Sequence, residues 1–81
     1  MWQMKERQYI GVTVRFDADG RITPLQVRWT DGRSWQVEKV LFREGFPLAG
    51  EQRSGVRFTV EVKGQEKLLF YNRERWYVFP V

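Results

Sequence analysis

The sequence predicts an all-β domain of six short antiparallel strands in a meander, curled into a small barrel. Three observations predict it. Apolar residues recur with a period of two nearly everywhere, which is the strand signature. Turn-forming residues interrupt this alternation at short intervals. No apolar stretch follows the helical period. A meander must hide its edge strands, so a bent open sheet that pairs with a second copy is the alternative architecture.

Ile10, Val12, Val14 and Phe16 alternate with Gly11, Thr13, Arg15 and Asp17 in the first strand, and Asp17-Ala18-Asp19-Gly20 is the turn after it. Leu25, Val27 and Trp29 alternate with Gln26, Arg28 and Thr30 in the second. Pro24 stands at its start, where a missing N–H is tolerated. Asp31-Gly32 marks a hairpin. Trp35 and Val37 open a third strand on one parity, and Val40 and Phe42 continue it on the other. The phase change near Lys39 calls for a bulge or a sharp bend, which supplies the corner of an SH3-like barrel. Arg43 to Gly55 carries Gly45, Pro47, Gly50 and Gly55 and reads as one long loop. Pro47 suits the start of a helical turn there, and Phe46 and Leu48 suit a plug at one barrel end. Val56, Phe58, Val60 and Val62 alternate with Arg57, Thr59, Glu61 and Lys63 in the fourth strand. Lys63-Gly64-Gln65-Glu66 turns into the fifth, Lys67 to Tyr71, and Asn72-Arg73-Glu74 into the sixth, Arg75 to Val81. Both final strands are apolar on each parity, as in strands covered on two sides. The expected core is Val12, Val14, Val27, Trp29, Val37, Phe58, Val60 and Trp76.

A chain of 81 residues makes one domain, residues 1–81, with residues 1–7 as a flexible N-terminal arm. Aromatics make up 16% of it, enough large rings to build a core without disulfides. It has no Cys, and secreted domains this small usually need a disulfide framework. Met1 to Tyr9 contains Lys5, Glu6 and Arg7 but no apolar signal-type stretch. The longest apolar runs, such as Leu68 to Tyr71, are too short to span a bilayer. These features point to the cytoplasm, with no membrane partner.

The absence of His and Cys removes imidazole bases, thiol nucleophiles and zinc sites of Cys or His type. No phosphate-binding loop of the GxxxxGK[ST] kind is present. Asp17-Ala18-Asp19-Gly20 lacks the later oxygen ligands of a calcium loop and reads as a hairpin turn. Glu38, Glu61 and Glu66 read as cross-strand partners of Arg and Lys rather than a catalytic pair. The expectation is a non-enzymatic domain with no cofactor and no metal.

Ile22-Thr23-Pro24-Leu25 through Trp29, then Asp31-Gly32-Arg33-Ser34-Trp35-Gln36-Val37 to Leu41, forms one recognisable block. Gly55-Val56-Arg57-Phe58-Thr59-Val60, Leu69-Phe70-Tyr71 and Arg75-Trp76-Tyr77-Val78 form others. Together they resemble a family of short bacterial proteins of unknown function, with a W-x-G-R-aromatic hairpin and an R-W-[FY] last strand. The resemblance runs from Ile10 to Val78. This chain departs from it by inserting Asp31 before the Gly and by placing Trp35 where Tyr or Phe is usual. A more distant, longer group shares the hairpin core, and some of its members are encoded near error-prone DNA polymerases. The resemblance implies a fold and a tilt toward nucleic acid, and it carries over no catalytic residue.

The net charge is +4, from ten Arg and four Lys against ten carboxylates. Two readings stay open: ordinary solubility, or an electrostatic footprint clustered on one face. Neighbouring strand residues point to opposite faces. Arg28 and Trp29, or Arg57 and Phe58, therefore cannot share a patch. Arg33 with Trp35, and Arg75 with Tyr77 and Phe79, share parity and suit stacking platforms flanked by charge. The expected function is a non-catalytic accessory domain binding nucleic acid with little sequence specificity. Arg28, Arg33, Arg57, Arg73 and Arg75 would meet phosphates, and Trp35 or Tyr77 would stack on bases. The alternative is a protein-interaction module, either a homodimer or a peptide groove lined by Glu38, Glu44 or Glu51. Neutralisation of the basic face by Glu38, Glu61, Glu66 and Glu74 would favour that alternative.

Overall fold

The computed structural model describes residues 6–47 and 54–79. Seven strands form one antiparallel sheet: β1 (Gln8–Phe16), β2 (Ile22–Arg28), β3 (Ser34–Gln36), β4 (Lys39–Pro47), β5 (Ser54–Val62), β6 (Gln65–Asn72) and β7 (Arg75–Val78). Their spatial order is β3-β2-β1-β7-β6-β5-β4. Among the described residues no helix is long and apolar enough to cross a membrane.

The seventh strand comes from dividing the predicted third one. Between β3 and β4 the chain crosses from one edge of the sheet to the other. The Val37 N–H donates to the Leu25 carbonyl on β2 (2.9 Å), and the Glu38 N–H to the Glu61 carbonyl on β5 (2.8 Å). The two edge strands are therefore consecutive in the chain, and this forces the sheet to curl. The parity change near Lys39 is this crossing, followed by a bulge at Leu41 where the register slips between Val40 and Phe42. Past the crossing, β2 and β4 diverge without a ladder, and the curl stays an open half-barrel. Arg43 braces the gap. Its Nη2 donates to the Thr23 Oγ1 at 2.8 Å, and its guanidinium lies 5.7 Å from the Phe58 ring centre.

The long loop expected over Arg43 to Gly55 is corrected. Arg43 to Pro47 pair in register with Ser54 to Phe58, so Pro47 belongs to β4, and the helical turn expected to follow it falls outside the described residues. Gly and Pro biased the reading toward a loop, but the backbone ladder persists through them. The plug expected of Phe46 and Leu48 lies outside the described side chains. Of the expected N-terminal arm, residues 1–5 also lie outside the described part.

Two hairpins share one turn. Asp17 to Arg21 and Trp29 to Arg33 each close with the fourth residue's N–H on the first residue's carbonyl and the first N–H on the fifth carbonyl. Such loops place a left-handed residue fourth, and Gly20 and Gly32 fill it at φ 86° and 91°. Asp19 and Asp31 lock these turns by accepting the backbone N–H of Arg21 and Arg33, each at 3.0 Å.

The buried core is Val27, Phe58, Val60, Leu69 and Trp76, with Val12, Val14 and Val37 packed against it half-buried. Trp29 is corrected: it is half-buried and outside this cluster. On the opposite, convex face a second apolar layer covers β7. Tyr77 is only 2% exposed there. Phe70 stacks on it at 5.2 Å, Tyr9 and Phe79 meet it edge-on at 5.7 and 5.5 Å, and the Arg7 guanidinium lies 4.5 Å from its ring centre. Trp76 points inward and Tyr77 outward, as the apolar residues on both parities predicted.

Candidate functional site

Register sets what shares the convex face. Tyr9, Tyr77, Phe70, Arg57 and Glu44 form one row across five strands. In the next row Gly11 lies opposite Arg28. One step beyond the Ile10–Trp76 pair, Arg75 comes alongside Gly11 from β7.

These two arginines define the site. Arg75 lies flat on Tyr9, its guanidinium carbon 3.7 Å from the ring centre. Arg28 lies across Gly11 and donates to the Thr13 Oγ1. A Cβ on Gly11 would meet the Arg28 Nε and Nη2 at 3.2 Å, so the missing side chain is what lets the guanidinium lie down. Beside it opens a groove of about 410 Å³ lined by Tyr9, Ile10, Gly11, Arg28, Trp29, Thr30 and Gly32. The expectation that Arg28 and Trp29 cannot share a patch is corrected: Trp29 stands one residue past the end of β2, where strand parity no longer holds, and both border this groove. Both arginines are exposed, and neither forms an ion pair among the described residues.

The other predicted site residues fall elsewhere. Arg33 sits in the β2–β3 turn, held by Asp31 at 2.6 Å. The Arg33 backbone N–H, and then its guanidinium, keep the Asp31 carboxyl below its ordinary value of 3.8. Trp35 pairs with Val27 and so lies on the concave register, with Arg33 at 5.4 Å and Lys63 at 5.7 Å from its ring. Arg57 shares the convex face but is bound by Glu44 at 2.9 Å, with a buried, unpartnered Nε. Arg73 is exposed in the β6–β7 turn at φ 52°. Tyr77 shares the face of Arg75 as parity required, but its ring is covered and leaves no face for a base.

Tyr9, 36% exposed, takes the place of Tyr77. Sequence reasoning passed over it by starting the first strand at Ile10, although Tyr9 has the parity of Gly11. It also passed over the twofold Asp-Gly-Arg, at Asp19 to Arg21 and Asp31 to Arg33. That repeat marks Arg21 and Arg33 as turn partners. Asp31, between the groove-lining Thr30 and Gly32, is paired with Arg33, and Glu61 and Glu66 share the convex face but stand on β5 and β6, away from the groove. Glu61 faces Glu66 and Lys39 across its strand neighbours, and the Glu38 Oε1 accepts the Gly64 N–H at 3.0 Å. Glu74 occupies the β6–β7 turn.

Comparison with family models, curated proteins and solved structures returned no match.

Proposed function

We propose that this chain is a non-catalytic, cytoplasmic binding domain that holds nucleic acid on its convex β2–β1–β7 face with little sequence specificity. One observation carries the reading. Arg28 lies over Gly11 and Arg75 on the Tyr9 ring, both exposed and free of ion pairs with described carboxylates, at the groove that Tyr9 and Trp29 line. A fixed guanidinium matches a phosphate through its planar fork. Phosphate contacts position the ligand and carry no sequence information. A strand surface has no helix to place in a major groove, so base readout there is poor. Fluorescence-anisotropy titration with labelled oligonucleotides at two salt concentrations tests this. Binding should weaken with salt and fall further in the Arg28→Gln, Arg75→Gln double variant. Absence of binding at low salt and micromolar protein refutes it.

A second reading, a protein-interaction module, has its own observation. The free edge of β4 carries Phe42 at 63% and Leu41 at 37% exposure. An unpaired edge is a template for a further strand, from a peptide or from a second copy. The Leu41 bulge and Lys39 blunt this edge in the way edge strands are commonly protected, which ranks the reading second. Of the acidic residues expected to line a peptide groove, Glu44 is engaged by Arg57 and Glu38 by a backbone N–H, while Glu51 lies outside the described residues.

A further inference from the structure

We infer that the ligand is single-stranded, with one unpaired base seated in the groove between Tyr9 and Trp29 and its neighbouring phosphates on Arg28 and Arg75. This rests on the nucleic-acid reading above and names its substrate class.

A duplex presents stacked, paired bases and offers this face only phosphates. The ring surfaces would then contribute nothing. An unpaired base has two free faces, and stacking on protein rings is tolerant of base identity. The stack of Arg75 on Tyr9 at 3.7 Å supplies one such surface, the outer face of a guanidinium that the ring beneath holds flat. A guanidinium plane is itself a platform for an unpaired base, while its in-plane N–H groups stay directed outward for phosphate. On the other side of Gly11, Arg28 is tethered by Thr13, so its remaining N–H groups are presented in a fixed orientation. Gly11 forms the floor. A Cβ there would press on the Arg28 guanidinium at 3.2 Å, and a larger side chain would also take up groove space. Trp29 is half-buried at the groove wall rather than packed in the core.

The test uses the full chain and three labelled probes: oligouridylate, oligodeoxythymidylate and a mixed-sequence duplex, each about 12 nucleotides long, within the usual site range. At least one single strand should bind about tenfold tighter than the duplex, and the two single-strand arms separate RNA from DNA. Tyr9→Leu keeps an apolar cover over Tyr77 but removes the ring. It should weaken single-strand binding by about 5- to 150-fold and leave the duplex unaffected. Gly11→Val fills the floor and should remove the single-strand preference. The Arg28→Gln, Arg75→Gln pair should weaken all probes and reduce the logarithmic salt slope by about 1.4, two phosphates at about 0.7 each. Circular dichroism establishes that each variant is folded, and Gly11→Val decides the matter if Tyr9→Leu is not. Equal affinity for duplex and single strands, or indifference to both Tyr9→Leu and Gly11→Val, overturns the single-strand inference and leaves the nucleic-acid reading standing. Failure of all three probes at low salt overturns both.

Discussion

Tyr77→Ala is expected to cost about 3–5 kcal/mol, the range for truncating a large buried ring, although its shared parity with Arg75 also suited it to an exposed stacking platform. The structure supplies the magnitude. The ring is 2% exposed on the convex face. An aromatic side chain buries about 150–250 Å², worth about 4–6 kcal/mol at ~25 cal/mol per Å². That is an upper bound, because the unfolded chain already hides about 10–40% of such area. Loss of the contacts to Phe70, Tyr9 and Phe79 acts in the same direction. A domain of this length has a total stability of about 4–12 kcal/mol at the usual 0.05–0.15 per residue. The substitution therefore removes a large fraction of it. Tyr9→Ala, at 36% exposure, should cost about 1–2 kcal/mol, a partial share of the same burial. Tyr77→Leu, which retains apolar volume, should fall between the two. Urea unfolding followed by Trp fluorescence measures all three, with an unchanged denaturant slope confirming that the midpoint reports stability. A Tyr77→Ala loss below about 1 kcal/mol, as for surface positions, would show that the convex aromatic layer is not a second core.

Alkali should destabilise the fold through the same ring. Burial holds the Tyr77 phenol above its ordinary 10.0, against the pull of the Arg7 charge, so the unfolded chain releases that proton first. Its contribution is complete below pH 10 and is lost as pH rises through the folded value; a tyrosinate absorbance step missing from Tyr77→Phe but centred at or below 10.0 would contradict this. Gly32→Ala has open space around the new Cβ but a φ of 91°, so its cost should be that of the backbone alone, about 1 kcal/mol, read as a fall in Tm of about 4–8 °C. If β4 pairs with a second copy, light scattering at high concentration should give twice the chain mass, and Phe42→Lys should halve it; a monomer before substitution removes the homodimer.

The strands were legible because each reports its own parity. Val56 to Val62 needs no other part of the chain to show which residues face inward. Even the crossing at Val37–Glu38 left a local trace, the parity change near Lys39. The two ends of the expected loop, Arg43 to Pro47 and Ser54 to Gly55, were misread because composition is a poor witness where backbone pairing continues through Gly45, Pro47 and Gly55. The site was legible in residue type and illegible in cover. Parity correctly put Arg75 and Tyr77 on one face, but it cannot say whether that face is roofed. Tyr77 is roofed by Tyr9, Phe70, Phe79 and Arg7, which come from other elements or from beyond the strand. The pairing of Arg28 with Gly11 likewise depends on a register slip between Thr13 and Val14 that no local pattern announces.

The same reasoning explains why the groove lies where it does. An aromatic layer on a sheet face extends only as far as neighbouring rows supply side chains to continue it. Toward β6 the layer continues through Phe70. Toward β2 it meets Gly11, which contributes none, and the next residue outward is Arg28. The layer therefore ends at Tyr9, leaving a ring margin under the Arg75 guanidinium and a floor without a side chain under that of Arg28. A single glycine thus fixes both the edge of the second core and the opening of the proposed site. Filling that position should make the convex face more continuous and the groove unusable, which separates its role in stability from its role in binding.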